Sequence, residues 1–420
     1  MPTRTLAATT LAPAARGSQT APANPGQATK VMLLLGSLDG GGAERVALNV
    51  ARRCVQHGHE VRLGLLRREG AYLADAPEGM ILSNSARGGG AGFIGAAGDI
   101  AAMIHQGRPQ VLMSFGLGVD GLTALALLRV RGRRPRWIVR ADSSPDAELA
   151  ALSLSPIMRA VVQAGLRRLY RRADAVVAVS EELASLVDER AFGGVPRTAV
   201  IHNPLDLDIV RHGAAAPLCV TPLRPFVVAA GRLVRQKGFD LLIGAFAASR
   251  AALGMDLVIL GEGPLEGELR AQAHALGVGE RVRFAGFVAN PWAWFARARL
   301  FVLSSRWEGF GNVICEAQAC GAPVLAADCD FGPREQIQHG QNGWLCDPGD
   351  PRALAAAMDR LLVDAPLCAA LSNAGRRSAE AFDAEGIAAQ YSALFAGVAA
   401  IRSDSLSRAA PWERHRRAAA

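Results

Sequence analysis

Apolar runs of strand length alternate with longer stretches of helical periodicity, and they do so in two series separated near the middle of the chain. A parallel strand is buried on both faces, so it reads as a continuous apolar run, and a helix must carry the chain back to start the next one. In the first series strands are expected at Val31 to Leu35, Val61 to Leu66, Val111 to Phe115, Trp137 to Arg140, Ala175 to Val179 and Ala199 to Ile201. In the second they are expected at Phe226 to Ala230, Asp256 to Leu260, Val282 to Ala285, Leu300 to Leu303 and Pro323 to Ala326. Between the series, Arg211 to Pro225 holds Gly213, three alanines and three prolines and reads as a connection. The pattern predicts an α/β chain of two doubly wound domains, over residues 30–212 and 213–400. A disordered tail is expected over 1–29 and a basic tail over 401–420. Ligands of open parallel sheets bind at the carboxyl ends of strands, so the cleft between the domains is the expected site.

Composition narrows the picture. With 420 residues, 50% of them hydrophobic and 20% charged, there is material for two cores and none of the signature of global disorder. Gly, Asp99 or Arg interrupts every apolar stretch before the roughly 18 residues of a membrane span, so no crossing is expected. Residues 1–29 are rich in Ala, Pro and Thr and lack the charged start and apolar core of a secretory signal. Seven cysteines, odd in number, scattered and without a CxxC pair, argue against disulfides or a zinc site and fit a reducing cytoplasm.

The net charge of +8 is unevenly spread: residues 30–215 carry +5 and residues 216–400 carry −2. Aromatics make up only 5% and no nucleic-acid motif is present, so nucleic acid is not expected as a partner. An anionic lipid surface or an acidic acceptor fits better. Ser155 to Arg172 adds to this, with Ile157, Val161, Val162, Leu166 and Leu169 on one side of a predicted helix and Arg159, Arg167, Arg168, Arg171 and Arg172 around it. Such a helix suits either a membrane face or plain solvation. Arg131, Arg133, Arg134 and Arg136 form a second basic cluster.

Three segments carry chemistry. The loop after the first strand, Gly36 to Arg45, contains Gly40, Gly41 and Gly42 but has Arg45 where the dinucleotide fingerprint needs glycine. It is either a flexible turn or a phosphate or sugar contact. The second segment holds Lys237, one of only two lysines beside 44 arginines. It lies in Gly231-Arg232 through Lys237-Gly238, after the first strand of the second series. An arginine fork and a compact ammonium side by side suit a diphosphate. The third runs from Ser304 to Ala317 and places Glu308 and Glu316 with seven residues between them, around Gly309, Phe310 and Gly311, with a helix starting near Asn312 and ending at Gly321. Backbone N–H groups at that helix start can receive phosphate, and the two carboxylates can accept from sugar hydroxyls.

Together with His202-Asn203-Pro204 and Gly261-Glu262-Gly263-Pro264, these segments resemble the retaining nucleotide-sugar glycosyltransferases of the GT-B fold, in the group with a Glu, seven residues, Glu motif. The resemblance covers nearly all of residues 30–400. The stretch from Phe331 to Ile337 is similar to that of members extending bacterial lipid-linked glycans. The resemblance implies two Rossmann-like domains, the first on the acceptor side and the second binding the nucleotide sugar, with the last helix packing back on the first. It implies that Arg232 and Lys237 neutralise the donor diphosphate, that Glu316 holds the ribose, and that Glu308 with the Phe310 to Asn312 backbone addresses the transferred sugar. Gly41, Gly42, Asn203, Gly231, Gly261, Gly263, Gly309, Gly311 and Val313 complete the implied donor site.

The implied reaction retains anomeric configuration and uses a nucleotide-diphosphate donor, with uridine the preferred base. It needs no cofactor and no metal, since fixed cations can stabilise the leaving diphosphate. Asp206-Leu207-Asp208 formally spells a metal motif and is read as accidental. Many members carry a histidine after the strand that here ends at Arg140, where this chain has Arg140-Ala141-Asp142. Arg140 and Asp142 are candidate acceptor-side residues. The acceptor implied is a saccharide or lipid-linked saccharide, at the inner face of the membrane. Competing readings are a nucleotide-sugar epimerase of the same fold and a non-catalytic two-lobed sugar-binding protein.

Overall fold

The computed structural model describes residues 28–401 apart from 78, 83–91, 152–154, 196 and 219–223. Nearly all of the two expected tails and the middle of the expected connection lie outside the described residues.

The first series folds as β1 (Lys30–Leu35), α1 (Gly42–Gln56), β2 (Glu60–Leu65), β3 (Ile81–Leu82), α2 (Gly92–Gly107), β4 (Val111–Phe115), α3 (Leu117–Leu127), β5 (Arg136–Ala141), α4 (Pro145–Ala151), α5 (Pro156–Arg172), β6 (Ala175–Ala178), α6 (Glu181–Phe192), β7 (Thr198–Val200) and α7 (Leu207–Ala215). The second folds as β8 (Phe226–Ala230), α8 (Phe239–Ala248), β9 (Asp256–Leu260), α9 (Glu266–Ala275), β10 (Val282–Phe284), α10 (Trp292–Phe295), β11 (Leu300–Leu303), α11 (Asn312–Cys320), β12 (Val324–Ala327), α12 (Pro333–Gln336), β13 (Trp344–Cys346), α13 (Pro351–Val363), α14 (Ala365–Ala379) and α15 (Ala384–Ala399).

The first sheet has the order β3-β2-β1-β4-β5-β6-β7 and the second β10-β9-β8-β11-β12-β13, with every pairing parallel. In each sheet the winding reverses between two central strands, β1 and β4 in the first, β8 and β11 in the second. The loops leaving those strands diverge and open a crevice, which is where ligands of such sheets sit. All three chemistry-bearing segments leave one of these strands.

Two strands escape the apolar pattern. β3 has two residues and β13 three, both at sheet edges, too short for a run to stand out from its surroundings. Local signals fare better elsewhere. Ser155 caps α5 through the Met158 amide with Pro156 at the first turn, and α11 ends at Gly321 in the left-handed conformation. α7 runs from 207 to 215, so the expected boundary at 212/213 falls within a helix. After α14 the chain returns, and α15 buries Ile387, Tyr391, Phe395 and Val398 in the core of the first domain beside Val46 and Val50 of α1. A second core cluster joins Phe310, Cys315, Ala379 and Phe382 to residues of the first sheet's helices, so apolar contact holds the two domains together.

Candidate active site

The loops after β8 and β11 are joined before any ligand arrives. The Arg306 amide donates to the Gln236 carbonyl at 2.7 Å, Gln236 Nε2 to the Trp307 carbonyl at 3.0 Å, and Ser304 Oγ to the Lys237 carbonyl at 2.9 Å. Arg306 grips Asp240 with both terminal nitrogens, at 2.7 and 2.6 Å. Those bonds outweigh burial and hold the Asp240 carboxyl below its ordinary value. On this platform Lys237 Nζ lies 2.6 Å from Glu308 Oε1, which also accepts from Ser305 Oγ at 2.6 Å. Glu308 is buried, so the pair is a compensated charge rather than a surface ion pair. Arg232 instead is exposed, and its charge acts across the cleft on Glu44 of α1. Burial pushes the Glu44 carboxyl up, and Arg232 opposes that push.

Gly309 passes so close to the first domain that a Cβ there would run into the Asp142 carbonyl. Gly311, at φ +85°, makes the turn into α11, in a region of backbone space that side chains disfavour. The Ile314 amide closes back on the Gly311 carbonyl at 2.9 Å, while the amides of Asn312 and Val313, at the helix start, have no acceptor one turn back and can donate to an anion. Asn312 opens that helix. Its Oδ1 accepts from Asn203 Nδ2 at 2.6 Å, and its Nδ2 lies 3.1 Å from where a Gly42 Cβ would stand. Gly41 is the N-cap of α1, so the glycine run of the first domain meets the start of α11 of the second. Gly231, Gly261 and Gly263 hold the turns after β8 and β9 together, with Gly231 N donating to the Leu260 carbonyl at 2.9 Å and Gly261 N to the Gly286 carbonyl at 2.7 Å.

Glu316 lies one turn into α11, buried, with Arg45 Nη1 3.4 Å from each of its oxygens and Trp292 Nε1 donating to Oε2 at 3.1 Å. Burial would lower the Arg45 guanidinium, but Glu316 and Tyr72 outweigh it and hold it above its ordinary value. Next to this group is a cavity of about 320 Å³ lined by residues of both domains, among them Arg45, Tyr72, Asn203, Trp292, Asn312 and Glu316. Val313 follows Asn312 in the first turn of α11. Cys315 is buried with its Sγ donating to the Asn312 carbonyl at 3.0 Å, and burial pushes the thiol up.

Other expected residues are placed differently. Arg140 is fully buried: it pairs with Asp142, donates to Asn203 Oδ1 and to the Tyr391 hydroxyl, and stacks over Phe115. With no exposure, the Arg140 side chain expected on the acceptor side braces Asn203 from within the first domain. Asp142 stands at the cleft with its carbonyl against Gly309. The Phe310 ring is also buried, packed on His202 and Phe382, so only its backbone faces the cleft loop. Asp206 caps α7 through the Ile209 amide and pairs with Arg53 at 2.9 Å, which accounts for that carboxylate structurally. Sequence reasoning assigned no role to Tyr72, Trp292 or the docking of Glu335 on His202 and Glu182. Tyr72 and Trp292 carry no sequence signal beyond bulk beside a loop, whereas Glu335 lies in the stretch from Phe331 to Ile337.

Known proteins align with this arrangement. The family model described as Glycosyltransferase Family 4 matches residues 40–209, and that described as Glycosyl transferases group 1 matches residues 222–378. An N-acetylgalactosamine-N,N'-diacetylbacillosaminyl-diphospho-undecaprenol 4-alpha-N-acetylgalactosaminyltransferase of Campylobacter jejuni is 29% identical over 62% of this chain and 70% of its own length. A GDP-mannose-dependent alpha-(1-6)-phosphatidylinositol monomannoside mannosyltransferase of Mycobacterium tuberculosis is 34% identical over 60% of this chain and 68% of its own. The crystal structure of Anabaena Alr3699/HepE in complex with UDP and glucose superposes with a TM-score of 0.71 at 23% identity, over 88% of this chain and 99% of that one.

Proposed function

Given that the chain belongs to the group 1 glycosyl transferases and has their GT-B arrangement, we propose that it is a retaining, metal-independent glycosyltransferase of bacterial glycan biosynthesis, moving a sugar from a UDP-sugar to a hydroxyl of a lipid-linked saccharide. The observation that carries the reading is the Lys237–Glu308 pair, 2.6 Å apart where β8 and β11 end, in the loop that leads into α11, whose first residue, Asn312, lies against Gly42 of the first domain. In transfer, the bond from the anomeric carbon to the diphosphate breaks and one to the acceptor oxygen forms, so negative charge grows on the diphosphate. In this reading Lys237, held by Glu308 at 2.6 Å, and the solvent-exposed Arg232 are the cations that stabilise that charge, with the first amides of α11 as further donors. Glu308 then accepts from the sugar, and Glu316 from the ribose.

The acceptor reading rests on surface and kinship. Both bacterial relatives described above are named for lipid-linked acceptors. On α5, Ile157 and Val161 are 80% and 60% exposed among Arg159, Arg167 and Arg168, a combination that favours an anionic membrane face. Among the described residues no helix is long and apolar enough to cross a membrane.

The test is incubation with a panel of UDP- and GDP-sugars, with and without polyprenyl-diphosphate-linked saccharides, following release of the nucleoside diphosphate. Release that needs the acceptor, persists in excess chelator and yields the donor's anomeric configuration by NMR is expected. Conversion of the donor to an epimer without release would favour the epimerase. Binding without turnover of any donor would favour the sugar-binding protein. Abolition by chelator with rescue by Mn²⁺ or Mg²⁺ would overturn metal independence.

A further inference from the structure

Arg45 reaches from the first domain to a carboxylate of the second. Its guanidinium is held by the Tyr72 hydroxyl, which accepts from Nη2, and lies over the Tyr72 and Trp292 rings, 5.1 and 5.2 Å from their centroids. Glu316 is only 5% exposed, and the cation facing it comes from the opposite domain. A carboxylate offers about four lone-pair sites. Trp292 Nε1 takes one at 3.1 Å, and Arg45 lies at 3.4 Å from both oxygens, longer than the roughly 2.7–2.9 Å of a tight charge-assisted bond. Glu316 thus keeps acceptor capacity beside the cavity that Tyr72, Trp292 and Asn312 also line. A vicinal diol presents two O–H donors at the spacing of two carboxylate oxygens.

We propose that Arg45 is a cross-cleft positioning residue for the donor: clamped by Tyr72 and Trp292, it compensates and aims Glu316, so the ribose-binding carboxylate of the second domain is complete only when the first domain lies against it. The inference rests on the assignment of Glu316 to the ribose. It makes nucleotide affinity a property of both domains, although every donor contact assigned to Glu316 lies in the second. Arginine suits the place because its fork donates to Tyr72 through one nitrogen and faces Glu316 through another while its charge lies near two aromatic rings, which a compact ammonium does not match.

Calorimetric titration tests it, using whichever of UDP and GDP the intact chain binds more tightly. Arg45→Ala and Glu316→Gln are each expected to weaken binding by about 10-fold or more. The double variant is expected to bind no worse than the weaker single, because both changes act on one carboxylate. Tyr72→Phe removes only the hydroxyl that holds Arg45 and is expected to lose a few-fold in affinity, with donor KM raised and kcat little changed. It decides the matter if Arg45→Ala fails to fold. Wild-type affinity in Arg45→Ala, or in Tyr72→Phe where Arg45→Ala does not fold, overturns the role of Arg45, as do losses that add in the double variant. Wild-type affinity in Glu316→Gln overturns the ribose assignment beneath it.

Discussion

Lys237 shows how a single residue was legible before its neighbours were. In a chain that writes nearly every basic position as arginine, an ammonium retained beside a glycine turn marked a point charge in use. Its ion pair with Glu308 was not legible, because 71 residues separate the two. Lys237→Ala and Arg232→Ala should each lower turnover by on the order of 10²-fold, the scale of losing one fixed contact to a developing charge. Steady-state diphosphate release measures this, and wild-type rates would remove the residue from the site. The two glutamates should separate. Glu308→Gln should leave nucleoside diphosphate affinity near wild type while turnover falls, because its partner is the transferred sugar. Glu316→Gln should lose affinity for the free diphosphate, and calorimetry beside rates distinguishes the two. Equal loss in both would mean that the donor lies differently along the loop and α11.

At the scale of elements, the segment from β11 through α11 was read with its boundaries nearly intact, since Gly309, Gly311 and Gly321 punctuate it and the periodicity between them is helical. What the pattern did not contain is why Gly309 is glycine. The answer is the Asp142 carbonyl, which belongs to the loop after β5 in the other domain. Gly309→Ala should therefore push the loop or the domains apart. Turnover should fall by roughly 10²-fold, the scale of a misplacement of about 1 Å. Unchanged turnover would show that the close approach is not part of the active arrangement. β3 and β13 were missed for the opposite reason, being short edge strands whose pairing comes from the neighbour rather than from their own run.

For the whole molecule the decisive contacts are those between domains. His202 Nε2 and Glu335 Oε2 meet at 3.1 Å, and the Glu182 amide donates to Glu335 Oε1 at 3.1 Å. Burial alone would raise the Glu335 carboxyl, yet His202 and the Glu181 and Glu182 amides outweigh it and hold the group below its ordinary 4.5. A carboxyl depressed in the folded state contributes stability that is fully present above the unfolded value and is lost as pH falls through the folded one. Asp240, held down by Arg306 from an ordinary 3.8, acts in the same direction. The melting temperature should hold from about pH 7 to about pH 5 with respect to these groups and decline below pH 4.5. Glu335→Gln should flatten part of that decline. A Glu335→Gln melting profile that parallels wild type down to about pH 3 would show that the docking contact contributes nothing to acid sensitivity.

The order of residues alone determined the class of fold, the two series of strands, the cleft between them and the three segments that face it. Each of these depends on local spacing: apolar runs, helical periodicity, glycines at turns and an out-of-place lysine. Tertiary structure alone decided which charge answers which. It paired Lys237 with Glu308, set Arg232 against Glu44, sank Arg140 behind Asn203 and brought Arg45 across the cleft to Glu316. The physical reason is separation along the chain. Arg45 and Glu316 are 271 residues apart, and no local pattern encodes a partner at that distance. Only the winding of two sheets, and the return of α15 onto the first, brings such groups within bonding range.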